Sequence, residues 1–405
     1  MKRSVSRPLG VLGLTYTAFI ALGMPDGLIG VAWPRMRSDF SQNLDALGLL
    51  LGSIMGGYLI SAFLSGALVR ALGVGKVLGY SSLLTALALT GYTLSPLWIL
   101  MLPLGMAAGF GAGAVDAGLN AYVESNFGES LMQWLHASFG IGVTLGPLLM
   151  TAGLGLSGSW RPAYLAVALA QCLLGILFLR RAGILEQHEK EAPASEKPLR
   201  ESFRATLAYP RAWLSASLFY FYCGVELGIG HWAYTYLTQH MGISATLAGF
   251  WTGSYWGAFT LGRILAGLAA RRVPARVLQW TGMAVVFAAI IILALELSPA
   301  LSLGAIVLMG FAIAPVFPAM MSMTASRVGR EHAGNTIGLQ MSFAALGVGT
   351  LPGLIGVLAE RWGLQVMPYA LAVFALVLMG LNAYFAATKP SMDRMPRTPN
   401  IPQGT

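Results

Sequence analysis

Uncharged apolar runs of nearly bilayer length recur along this chain, and few folds admit them. The stretches 9–20, 77–94, 164–179, 278–295 and 367–387 contain no charged residue. A hydrocarbon core about 30 Å thick takes roughly 20 helical residues to cross. Within lipid a helix satisfies every backbone group from its own segment, so the runs are read as membrane helices. A soluble domain carries about 25% charged residues, whereas this chain has 10% charged and 56% hydrophobic residues. Its 50 glycines would weaken soluble helices, but small residues let membrane helices approach closely. The fold class expected is therefore an all-α membrane protein. Met1-Lys-Arg-Ser leads into an apolar stretch with no small-residue cleavage site, so the first run is read as a retained helix. Cys172 and Cys223 both fall inside apolar runs and read as small buried hydrophobes.

Twelve transmembrane helices are expected near 10–32, 46–70, 77–95, 97–123, 131–156, 160–180, 212–239, 246–270, 276–296, 300–326, 333–359 and 364–387. With that layout both termini share a side. Twenty-one basic residues fall on that side, and only Arg35, Arg37, Arg161 and Arg361 on the other. The positive-inside rule then makes the shared side cytoplasmic. The reading is a bacterial cytoplasmic (inner) membrane protein, multi-pass, with both termini cytoplasmic. The net charge of +9 is spread over these loops, so nucleic acid is not an expected partner; the lipid bilayer and a small-molecule solute are, and the chain is expected to act as a monomer.

The only long polar stretch, 181–211, divides the chain. The domains expected are an N-terminal six-helix bundle over 1–180, a cytoplasmic linker over 181–211, a C-terminal six-helix bundle over 212–388 and a disordered cytoplasmic tail over 389–405. The halves resemble each other. Residues 66–78 align with 266–278 at an offset of 200, which also sets Asp26 against Glu226 and Gly57 against Gly257. Phe110-Gly-Ala-Gly-Ala-Val matches Phe311-Ala-Ile-Ala-Pro-Val at 201. Two pseudo-symmetric bundles of this kind place a site near the midplane of a secondary transporter.

Only Asp26, Asp116 and Glu226 among the acidic residues fall well inside expected helices. A carboxylate at a helix centre costs about 2.5–3.5 kcal/mol on the insertion scale, and no basic residue is expected at equal depth: Arg35, Arg161, Arg263 and Arg361 are read as lying near helix ends. These three carboxylates are the candidate proton-coupling groups, since a buried carboxylate that takes a proton in one environment and releases it in another is what coupling requires. Each has a bland alternative. Asp26, between Pro25 and Gly27, would cap a break in its helix; Glu226 would bond a neighbouring helix. Asp116 and Asn120 lie one turn apart on one face and together suit a polyol clamp. His136 and His231 lie in helices rather than loops and are candidates for the cavity, although a lone helical histidine is more often packing. Rings suit the apolar face of a pyranose, so Trp232, Tyr255 and Trp256 are candidate cavity linings, with Gln340 as an amide contact. Trp33, Trp98, Trp160, Trp213, Trp280 and Trp362, nearer helix ends, read as an interfacial belt. No His/Cys cluster has metal-ligand spacing, and no Walker motif is present, so neither a structural metal nor ATP is expected. No cofactor is expected beyond a coupling ion, H⁺ or Na⁺.

The 6 + 6 layout, the charged central linker and a Gly/Arg-bearing loop between the second and third helices resemble the major facilitator superfamily over residues 8–388. Arg70 stands where that family usually has an acid. Three stretches, Gly109-Phe-Gly-Ala-Gly-Ala-Val-Asp-Ala-Gly-Leu-Asn-Ala-Tyr122, Leu135-His-Ala-Ser-Phe-Gly-Ile-Gly-Val-Thr-Leu-Gly-Pro-Leu148 and Tyr222-Cys-Gly-Val-Glu-Leu-Gly-Ile-Gly-His-Trp-Ala-Tyr-Thr-Tyr-Leu237, resemble the fucose-permease and sodium-dependent glucose transporter branch. The resemblance implies that Asp26 and Asp116 are the coupling and sugar-binding carboxylates. The function expected is proton-coupled symport of a sugar or similar small polar solute by alternating access. Two rivals stay open: an exporter of drugs, lipids or metabolites, and a transporter-like solute sensor. An enzyme is not expected, for want of a nucleophile–base pair or metal motif.

Overall fold

A computed structural model describes residues 9–126, 129–191, 203–270 and 272–388. The tail over 389–405 and the middle of the expected linker, 192–202, lie outside the described residues. The described residues form twelve long helices: α1 Leu9–Asp39, α2 Ala46–Leu72, α3 Val74–Leu94, α4 Trp98–Asn126, α5 Glu129–Ser157, α6 Arg161–Glu191, α7 Pro210–Thr235, α8 Ala245–Ala269, α9 Ala275–Leu295, α10 Pro299–Ile313, α11 Arg330–Trp362 and α12 Val366–Ala387. Eleven are long and apolar enough to cross a membrane. The remaining one, α8, has the length, but its apolar character is diluted by Thr252, Ser254, Thr260, Arg263 and several glycines.

Some helices depart from expectation. The first does not stop at 32; it runs to Asp39 through Pro25 and Pro34, because a neighbouring helix can supply the packing that a proline costs in a membrane. Asp26 therefore caps no break. The tenth is not one piece. It halts at Ala314-Pro315, resumes over Val316–Ser322, and a separate turn forms at Thr324–Val328; a proline has no N–H to donate and crowds the preceding turn. The last turn of α7 relaxes into a π-helical segment, Tyr236–His240. On the linker, α6 continues to Glu191 and a short helix spans Phe203–Leu207.

The internal repeat reappears as packing. Within the first bundle α1 lies on α5, α2 on α4 and α3 on α6; within the second, α7 lies on α11, α8 on α10 and α9 on α12. Equivalent glycines make equivalent crossings. Gly109 of α4 meets the Ile54 carbonyl of α2, and Gly310 of α10 meets the Tyr255 carbonyl of α8, each too close for a Cβ. Lipid is as apolar as leucine, so close backbone approach supplies much of what holds such helices together.

The bundles meet through α1 with α7, α2 with α11 and α5 with α8. These contacts concentrate toward the face opposite the basic loops, called here the far face. Among the described residues three hydrogen bonds cross between bundles. The Leu44 N–H donates to Glu360 Oε2 at 2.8 Å, Arg37 Nη2 donates to Gln239 Oε1 at 3.4 Å, and the hydroxyls of Thr144 and Thr260 lie 3.4 Å apart. Gly48 of α2 and Gly353 of α11 touch backbone to backbone: a Cβ on Gly353 would fall 2.7 Å from Gly48 Cα. Nearer the basic face than Thr144–Thr260, no hydrogen bond joins the bundles among the described residues. The backbone contact and two of the three hydrogen bonds between the bundles thus lie on the far face.

The tryptophans near helix ends correct the belt reading in part. Trp33 and Trp160 are fully buried. Trp160 Nε1 donates to Asp39 at 3.0 Å, and Arg161 and Arg35 pair with the same carboxylate at 2.9 and 3.1 Å. Position along a helix says how deep a ring lies, not which way it faces. Trp213 and Trp362 are exposed, as a belt requires.

On the far face Glu296, in a left-handed conformation just past α9, accepts from the Tyr236 hydroxyl at 2.6 Å and lies 2.7 Å from His240 Nε2. These partners hold its carboxyl below its ordinary value of 4.5. A carboxyl depressed in the folded state adds stability that is complete above its unfolded value and is lost as pH falls through the folded one. The loss here belongs below pH 4.5. Thermal melting in detergent is expected to fall less steeply with acid, below about pH 4.5, in Glu296→Gln than in the parent; equal slopes would remove this contact from the acid response.

Candidate solute and ion site

The first bundle builds a polar cluster in the middle of the membrane. Asp116 of α4 is half-buried, and both its oxygens accept hydrogen bonds. Asn120 Nδ2 donates to Oδ1 at 2.9 Å, and the Tyr58 hydroxyl of α2 donates to Oδ2. Asn120 Nδ2 also reaches the Asp116 carbonyl at 3.0 Å, so the i, i+4 spacing locks the amide in place. Asp26 of α1 is half-buried as well, as are Tyr58 and Asn120.

The second bundle sets a different group opposite. Glu226 of α7 is enclosed, 7% exposed. Tyr255 of α8 donates to its backbone carbonyl at 2.8 Å, and the neighbouring Tyr222 hydroxyl donates to the Ile313 carbonyl at 3.3 Å. Arg263 lies in α8, six residues before its last residue, Ala269. Arg263 rests over the Phe259 ring at 4.3 Å, and its Nε is buried without a hydrogen-bond partner.

The other candidates separate. His136 of α5 is exposed, edge-on to Phe19 with ring centroids 6.0 Å apart. His231 is buried where α7 touches Gly30 of α1, on the far-face side. Trp232, Tyr255 and Trp256 are all buried. Trp232 Nε1 donates to the Pro352 carbonyl at 2.8 Å, while Trp256 stacks edge-on to Tyr255 and Phe259 at 4.9 and 5.5 Å. Gln340 is fully buried in the second bundle, donating to Ser215 at 2.7 Å and to Thr324 at 3.0 Å. In this conformation those four pack the second bundle, while Asp26, Tyr58, Asp116 and Asn120 are half-buried and His136 is exposed. Tyr58 was not singled out in the sequence. A lone tyrosine after Gly56-Gly57 was the available signal.

Twelve helices in two repeat-related bundles, enclosing carboxylates between them at mid-membrane, define a multi-pass membrane carrier. The Major Facilitator Superfamily model matches residues 15–349 and 232–400, and the chain belongs to that family. It is 24% identical to Sodium-dependent glucose transporter 1A of Mus musculus, over 93% of this chain and 96% of that protein. It is 21% identical to the Glucose/mannose transporter GlcP of Bacillus subtilis (strain 168), over 92% and 94%. Among solved structures, the fold matches an inward-facing and occupied bacterial homolog of the human lysosomal transporter Spinster. That match has a TM-score of 0.75 at 15% identity and covers 94% and 97% of the two chains. The D-xylose-proton symporter matches with a TM-score of 0.72 at 13% identity, covering 92% and 97%.

Proposed function

We propose that this carrier takes up a sugar or closely related polyol with a cation, H⁺ or Na⁺, by alternating access. The observation that carries the reading is Asp116, a half-buried mid-membrane carboxylate flanked by hydroxyl and amide groups. A carboxylate so placed accepts paired hydroxyls strongly, and its charge is costly in the membrane interior until a cation joins it. Asp26, beside it, completes an acidic pair on which a cation and a solute bind together. Relatives whose names give glucose or mannose as cargo support the sugar class. The basic loops put both termini in the cytoplasm, in a bacterial cytoplasmic membrane. The bundles, over 1–180 and 212–388, rock about the α2–α11 and α5–α8 seams as a monomer.

The test is a thermal-shift series on detergent-purified protein with sugars and polyols, with and without Na⁺, at two pH values. Ligand that binds the folded state raises the melting temperature according to its affinity. At least one hexose is expected to stabilise the protein, more so with the coupling ion present. A full panel without any shift, at ligand concentrations that saturate the relatives named above, would remove the sugar reading.

A further inference from the structure

Tyr58 holds a position that a bound solute would need. It stands on α2, where α2 and α4 run so close that a Cβ on Gly113 would fall 2.6 Å from the Tyr58 carbonyl oxygen. That approach carries the phenol across to Asp116, whose Oδ2 it occupies as a hydrogen-bond donor. Asn120 occupies the other oxygen at 2.9 Å. The phenol is half-buried. A phenol offers a carboxylate the same O–H donor as a sugar hydroxyl does. Asn120 belongs to the same helix as Asp116 and stays with it, whereas the ring of Tyr58 comes from another helix and can turn away about its own χ1 and χ2.

We propose that Tyr58 is a positioning residue that competes with the solute for Asp116. The inference rests on the sugar-uptake reading and deepens it. When solute enters, one of its hydroxyls takes Oδ2 and the phenol swings aside. On the side facing the cytoplasm the phenol reclaims Oδ2, so solute leaves without exposing a buried carboxylate to an unsatisfied state. Internal competition of this kind lowers apparent affinity and raises the release rate together. Loss of the hydroxyl reverses both.

The experiment compares parent, Tyr58→Phe, Asp116→Asn and the double variant in D-glucose counterflow with reconstituted protein. Tyr58→Phe is expected to lower the half-saturating glucose concentration about three- to tenfold and to lower the maximal exchange rate by a similar factor. In the Asp116→Asn background the same change is expected to have little effect on half-saturation, since the competitor's target is already altered. A raised half-saturation in Tyr58→Phe would make the phenol a direct solute contact. An unchanged one with a lowered melting temperature would make it packing only. Either result overturns the proposal while leaving sugar uptake standing. A measurement without sugar separates the two failures. The tyrosine C–O vibration of the parent is expected to differ from that of Asp116→Asn and to lose the differing band in Tyr58→Phe. Identical spectra for parent and Asp116→Asn would overturn the proposal whatever the cargo.

Discussion

Asp116→Asn is expected to abolish concentrative uptake, bringing the internal solute concentration down to the external one, while counterflow exchange stays measurable. The variant keeps the size of the side chain and the neighbouring Asn120, so the solute-facing shape survives. What it loses is the negative charge. An amide neither takes up a proton nor binds Na⁺ as a carboxylate does, so the driving cation has no reason to accompany the solute through this site. Coupling is a free-energy link between two bound species, and removing the group both depend on sets that link to zero without forbidding either from moving. Accumulation of radiolabelled D-glucose in intact cells, against exchange in vesicles, measures the two properties separately. Full accumulation by the variant would take Asp116 out of the coupling role and leave it to Asp26.

Gly353→Leu is expected to hold the far face open and to cut uptake by at least tenfold without unfolding the protein. Gly353 and Gly48 touch backbone to backbone in the conformation described, and a Cβ on either would fall 2.6–2.7 Å from the other's Cα. No side-chain rotation relieves a clash with backbone, so α2 and α11 must separate there. The added leucine is apolar and tolerable to lipid or to an adjacent helix once the bundles part, which is why the expected cost falls on one conformation and not on the fold. To move a two-state equilibrium tenfold requires only about 1.4 kcal/mol, less than overpacking ordinarily costs. Spin labels on Asn43 and Gln365, both exposed and flanking this seam, report the change. The variant is expected to show a longer distance than the parent, and an unchanged distribution would show that the glycine contact does not govern closure.

Those two residues show what the chain disclosed before its structure was known and what it kept back. Asp116 stood out because a carboxylate in an apolar run is costly, and the same logic exposed Asp26 and Glu226. The helices themselves followed from the length of the apolar runs, and the repeat from offsets near 200 that reappear as the Ile54–Gly109 and Tyr255–Gly310 crossings. Which face each helix turns inward did not follow. In a soluble protein the apolar stripe marks the core; in lipid both faces are apolar, so the stripe vanishes. For that reason Trp33 and Trp160 passed for belt residues although both are buried. For the same reason Trp232, Tyr255, Trp256 and Gln340 passed for cavity lining, although here they pack the second bundle. Tyr58 gave no electrostatic signal in the sequence, since a neutral phenol in a membrane helix is unremarkable until a carboxylate is found beside it.

The central claim is that acidic side chains held between the bundles tie the movement of a cation to that of a sugar. The most direct measurement is uptake of radiolabelled D-glucose by proteoliposomes carrying the purified chain, with an imposed pH gradient in one series and an imposed Na⁺ gradient in the other. Glucose is expected to rise inside well above its external concentration under one of the two gradients, and to fall back to parity when an ionophore dissipates it. Entry that stops at parity under both gradients, with or without ionophore, would contradict the account.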